Sequence, residues 1–236
     1  MQQAYETVEV SEIYDGDTVK LVDGRKLRFI GINTPERGRD GKKNDPFYLD
    51  AKKYLEKIIH ANNNKLNIVT GRDKYDRYQR LLAHVFTLQQ QSVTTLLLEK
   101  GMGFHVVVTP NTRLLSCYQA AEKSAQTLKR GIWQLPYSDV IAVHLLKKSA
   151  RGFHQVSGVV QRVGESKSSF WLNIGSNAKT KFALRIQKSN LPYFKKYHPK
   201  DLINRKIIAR GWIYKANNEQ RISIYHPASL TIQNTD

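Results

Sequence analysis

The chain has 236 residues, 40% of them hydrophobic and 25% charged, a composition that argues against both a disordered and a membrane-embedded class. Lys and Arg number 38 against 20 Asp and Glu, a formal net charge of +18 that draws polyanions. The length fits two modest domains, each long enough to bury a core.

The charge is uneven: residues 1–143 hold 21 basic and 16 acidic side chains, whereas 144–236 hold 17 and 4. No run of 18 apolar residues occurs, so no membrane span is expected. The opening MQQAYETVEV lacks a basic and then apolar signal region, and an exported or periplasmic protein is expected only if a precursor was trimmed. Cys117 is the single cysteine, so no intramolecular disulfide can form, and it is expected on the apolar face of a helix as a structural thiol.

In chain order, VEVSEIY, TVKLV and RKLRFIGI read as three strands of a meander, separated by Asp15-Gly16 and Asp23-Gly24 turns. The apolar-free stretch 38–45 reads as a loop. Asp45-Pro46 predicts an N-cap and first-turn proline for a helix with the stripe Phe47, Ala51, Leu55 and Ile58 or Ile59. Residues 65–71 and 80–86 complete a β-β-β-α-β-β order, that of a five-stranded Greek-key barrel of the OB type. Helices are predicted at 92–100 and 112–130, the second with Leu114, Tyr118, Ala121, Ala125 and Leu128 on one face, and both stopped by glycine.

Residues 136–150 read as a linker. From 151 to 236 the same order restarts: FHQVSGVVQRV, SFWLNIG and KFALRI as strands, a short helical turn at NLPYFKKY, then RKIIARGWIY and QRISIY. The fold class is therefore mainly β with packed helices (α+β), a first OB-type domain over 1–135 and a second OB-like barrel over 151–236.

Asp17, the Asn33 amide and the Thr34 main-chain carbonyl stand at neighbouring strand ends and make an all-oxygen set suited to a hard cation such as Ca²⁺ and not to zinc. Arg28 precedes Asn33 by five residues and meets the same face if the backbone bends near Gly31; Arg80 opens a later strand. Two guanidiniums beside a cation can grip a phosphate and stabilise its developing charge, and Glu36 can take a proton from the attacking water. Each feature has a plainer reading on its own: Asp-Gly-Asp as a turn, the arginines as solvated surface, Glu36 as a turn carboxylate.

Their order and spacing give more. YDGDTVKLVDG, LRFIGINTPE, DRYQRLLAHVF, LLLEKGMGF, TPN and KRGIW, over residues 7–133, resemble the thermonuclease or staphylococcal nuclease-like family. The resemblance implies Asp17 and Asn33 as metal ligands with the Thr34 carbonyl, Asp15 behind them, Arg28 and Arg80 on the phosphate, and Glu36 as general base. It also implies one Ca²⁺ ion and hydrolysis of DNA and/or RNA to 3′-phosphate and 5′-hydroxyl ends. Arg80 is preferred to Arg77 because Arg80-Leu81-Leu82-Ala83 runs into the strand as the family's motif does. Asn33 stands where the best-studied member of the family has a second aspartate, removing one charge, and valines at 106–108 stand near where the family carries nucleotide-contacting tyrosines.

In the second barrel, bases interleave with aromatics as on OB folds that hold single strands, with Arg162, Lys167, Trp171, Lys181 and Arg185 as the nucleic-acid surface and Trp212 as core. The seven histidines lack metal-ligand spacing and no Gly-rich phosphate loop occurs, so neither zinc nor a nucleotide cofactor is expected. The alternative to an active nuclease is a catalytically weak nucleic-acid-binding scaffold of two OB-like domains.

Overall fold

The computed structural model describes residues 5–38, 41, 43–175 and 181–233, and the chain divides into two compact units, Met1–Tyr137 and Ser138–Asp236. In the first, β1 (Glu6–Ile13), β2 (Thr18–Leu21) and β3 (Lys26–Phe29) form the predicted meander, after which the two-residue β4 (Ile32–Asn33) leaves it. Then come α1 (Tyr48–His60), β5 (Lys65–Tyr75), β6 (Leu81–Phe86), α2 (Val93–Glu99), β7 (Phe104–His105) and α3 (Leu115–Thr127). The barrel closes in the order β1-β2-β3-β6-β5, with β3 and β6 parallel and β5 returning antiparallel to β1. Alternation explains closure, because Val8, Val19, Leu27, Leu66 and Ala83 all point inward and are buried.

Helix α1 starts later than its sequence suggests. Phe47, at φ 66°, precedes the first helical residue, and the buried stripe is Tyr48, Ala51, Leu55, Ile58 and Ile59. Asp45 does not cap it; its carboxylate accepts from the Glu36 amide at 3.0 Å. On α3, Tyr118, Ala121 and Ala125 are buried as predicted, but Leu128 lies past the last helical residue and is 56% exposed. Cys117 is exposed too, so the structural-thiol expectation is corrected: Tyr118 next to it takes the core-facing position.

The second unit holds β8 (Val140–Ala142), β9 (Gly152–Glu165), β10 (Ser169–Ile174), β11 (Phe182–Gln187), β12 (Lys206–Ala216), β13 (Glu219–Ile224) and β14 (Leu230–Ile232). Here β9-β10-β11-β13-β12 closes back onto β9, again with one parallel pair, β11–β13. The connectivity matches the first barrel, with 3₁₀ turns at Lys188–Tyr193 and Pro199–Leu202 where the first has α1. The expected linker is largely part of this unit: β8 runs parallel to β9, Val143 and Leu146 enter the core, and the Gln220 side chain donates to the carbonyls of Lys147 and Ala150. Trp212 is not core. Ile213 points inward, so its neighbour Trp212 points out, 38% exposed and edge-on to Phe153 at 5.4 Å. Among the described residues no helix is long and apolar enough to cross a membrane.

Candidate active site

The Asp15-Gly16-Asp17 turn is held in several places. The Asp17 amide donates to the Asp15 carboxylate at 3.0 Å, and the Asp17 carbonyl accepts from the Phe29 amide at 2.9 Å. Gly16 is wedged so tightly that a Cβ there would stand 2.8 Å from both Ala51 Cβ and Thr34 Cγ2. Only glycine lets the turn lie against α1 and the chain that follows β4.

Asp17 is the hub. Its Oδ2 accepts from the Thr34 amide at 2.7 Å and the Thr34 hydroxyl at 3.1 Å, and its Oδ1 from the Thr18 hydroxyl at 3.0 Å. Arg28 Nη1 pairs with the same Oδ1 at 2.8 Å. Strand register explains the meeting: Thr18 of β2 sits directly opposite Arg28 of β3. Gly31, at φ 93° and with no room for a Cβ against Tyr118, bends the chain into β4 and so brings Asn33 and Thr34, not Arg28, to the turn.

Arg80 reaches the hub from the other side. Its Nη1 lies 3.5 Å from the Thr18 hydroxyl, while its Nε and Nη2 hold Asp76 Oδ2, both at 2.7 Å. Asp76 also accepts from the Arg80 amide at 3.0 Å, so the short loop before β6 grips its own arginine. Arg77 instead lies over the Tyr78 ring and donates to its hydroxyl at 2.6 Å. Glu36 is exposed two residues beyond Thr34, its amide donating to the Asp45 carboxylate and its carbonyl accepting from the Asp45 amide, both at 3.0 Å.

No group of three His, Cys, Asp or Glu that could hold a metal occurs among the described residues. The oxygen set nevertheless fits a hard cation. Burial first, and then the neighbouring Asp17 carboxylate, push Asp15 up to about 7. Asn33 is 4% exposed and follows Ile32 in β4, immediately before Thr34. Carboxylate, amide and main-chain oxygens of this kind suit Ca²⁺ or Mg²⁺.

Of the second-unit residues, Trp171 and Arg185 face each other across β10–β11, with the guanidinium 5.5 Å from the indole. Arg162 is exposed on β9 opposite Asn173. Lys167 and Lys181 are exposed at opposite ends of β10, in the turns before and after it. Sequence reasoning missed Thr18, Asp76 and Arg221. Thr18 adjoins Asp17 and Asp76 precedes Arg80 by four, spacings that gain meaning only with the register.

Residues 26–135 match the family model described as Staphylococcal nuclease homologue. The chain is 30% identical over 131 residues to the Thermonuclease of Staphylococcus hyicus, covering 54% of this chain and 76% of that protein. It is 30% identical over 136 residues to Endonuclease YncB of Bacillus subtilis (strain 168), covering 56% of this chain and 64% of that one. The SPbeta prophage-derived endonuclease YokF of the same organism is 30% identical over 130 residues, 53% and 43% of the two chains. The chain thus spans less than two thirds of the length of either Bacillus relative.

Proposed function

Because this chain belongs to the family of staphylococcal nuclease homologues, we propose that it is a metal-dependent nuclease that hydrolyses phosphodiester bonds of DNA and/or RNA to 3′-phosphate and 5′-hydroxyl ends. The observation that carries this reading is the convergence on Asp17 of Arg28 directly and Arg80 through Thr18, beside Asn33 and Thr34.

Asp17, the Asn33 amide oxygen and the Thr34 carbonyl would hold one Ca²⁺ ion. When bound, the ion supplies positive charge that neutralises the phosphate. Arg80 presents its Nη1–Nη2 edge to the phosphate, its Nε being held by Asp76. Arg28 contributes a second guanidinium, fixed by Asp17 and by the Phe29 carbonyl at 3.2 Å. Both are already in position when charge builds on the non-bridging oxygens, so little reorganisation is needed. Glu36, exposed at the rim, accepts the proton of the attacking water.

Plasmid DNA and RNA incubated with the full chain in Ca²⁺, Mg²⁺ or chelator test this, with end-labelling to identify the termini. Glu36→Gln should lower turnover by about 10²–10⁴-fold and Arg80→Ala by about 10²–10³-fold, each read on protein that a melting curve shows to be folded. Near-normal cleavage by either variant would remove the assignment.

A further inference from the structure

The second unit carries 17 Lys and Arg against 5 Asp and Glu over residues 138–236. Within that field one outer face is organised. Trp171 on β10 stands opposite Arg185 on β11, and Arg221 on β13, one strand further, lies with its guanidinium 4.5 Å from the same indole.

Each member is held. The indole Nε1 lies 3.4 Å from the Ser166 hydroxyl in the β9–β10 turn. Arg185 Nε donates to the Ser169 hydroxyl at 3.0 Å, and Arg221 Nε pairs with Glu219 at 2.7 Å. Ala183, between Trp171 and Arg221 on this face, is small enough for both side chains to lie over it. No carboxylate among the described residues pairs with Arg185. Glu219 answers only one of the two guanidiniums, and the face keeps net positive charge around an aromatic plane.

We propose that this Trp171–Arg185–Arg221 layer is a binding site for single-stranded nucleic acid, with phosphates at the guanidiniums and a base stacked on the layered planes. The inference rests on the nuclease reading for its substrate class. The physical reasons are local. A stacked base needs an exposed π-face, which a duplex does not offer, and a guanidinium contributes both charge and a stacking plane. The second and third strands of a five-stranded OB barrel, here β10 and β11, form a face that such folds use for oligonucleotides.

The test reads binding apart from turnover. The full chain is titrated in EDTA with fluorescent oligothymidylate of about 16 nucleotides, the upper site size of such a barrel. Trp171→Ala should bind about 5- to 150-fold more weakly, the range for one lost stack. Arg185→Gln and Arg221→Gln should each flatten the log–log salt slope by about 0.7. Lys195→Ala/Lys196→Ala removes two charges elsewhere on the unit and should lose less affinity than Trp171→Ala. Melting curves confirm that each variant is folded. Unchanged binding by folded Trp171→Ala and Arg185→Gln, an equal loss in the Lys195/Lys196 control, or tighter binding of duplex than of single strand would overturn the site. Absence of cleavage with metal would remove the nuclease reading without altering any of these binding results.

Discussion

Arg28 and Asp17 form an ion pair at 2.8 Å whose side chains are only 11% and 3% exposed. The pair joins neighbouring strands at the point where β2 leaves its turn, so it is structural before it is chemical. Removing one partner of such a pair costs far more than the pair itself is worth, because a buried charge is left uncompensated. Arg28→Met should therefore destabilise the protein by about 3–5 kcal/mol in urea unfolding. A loss below about 1 kcal/mol, the range of a surface pair, would show that Asp17 does not depend on Arg28.

Asn33→Asp tests the cation set by a route independent of cleavage. It adds a carboxylate near the Asp15-Gly16-Asp17 turn, where burial first and then the Asp17 carboxylate already raise Asp15. Without metal the variant should melt lower than the parent, and the rise in melting temperature on adding Ca²⁺ should be larger. An equal or smaller Ca²⁺-induced rise would take Asn33 out of the ligand set.

Gly16→Ala probes the fit of the turn. Its new methyl would meet Ala51 and Thr34 at 2.8 Å, and Thr34 holds Asp17 by two hydrogen bonds. Overpacking of this kind typically costs about 1–3 kcal/mol. Because the displacement falls on Thr34, the Ca²⁺-induced thermal shift should shrink as well. A stable variant with an unaltered shift would mean that the turn tolerates the methyl.

What could be read beforehand followed physical lines. Both barrels were legible because alternating apolar residues act locally, with Asp-Gly turns adding to the signal in the first, and Val19, Leu27 and Leu66 are buried as alternation requires. Features set by distant neighbours were not. Asp45 has the chemistry of an N-cap, but the Glu36 amide claims its carboxylate, and the helix begins at Tyr48 instead. Val140–Ala142 is too short an apolar run to announce a strand, and only the free edge of β9 makes it one. At the candidate site the residue types were readable; that Thr18 joins Arg80 to Asp17 depends on barrel register, to which no local pattern points.

Asp76 is a positioning residue for Arg80, holding its Nε, Nη2 and backbone amide. Asp76→Asn keeps the size but weakens the charge-assisted grip, leaving the guanidinium free to rotate. If the proposed chemistry holds, kcat should fall by about tenfold or more with little change in KM, since misplacement of a transition-state donor is felt in kcat. A purely structural role would instead lower the melting temperature and leave the kcat of the folded fraction intact.

His84 supplies a pH dependence opposite in sign to that of the raised Asp15, so it is read as a difference between parent and variant. It is 3% exposed on β6, its Nδ1 lies 2.9 Å from the Tyr118 hydroxyl, and the His105 ring packs edge-on to the same tyrosine at 5.8 Å. Burial, with a smaller effect of Arg113, lowers His84 to about 4 from the ordinary 6.5. The unfolded chain therefore takes up a proton in a range where the folded protein does not. The stability due to neutral His84 is complete above about pH 6.5 and is lost as pH falls towards 4, amounting to about 2 kcal/mol between pH 7 and pH 5. His84→Asn, which keeps a polar atom for Tyr118 but cannot titrate, should lose correspondingly less over the same interval in urea unfolding. Parallel losses in the two proteins would show that His84 is not the group responsible.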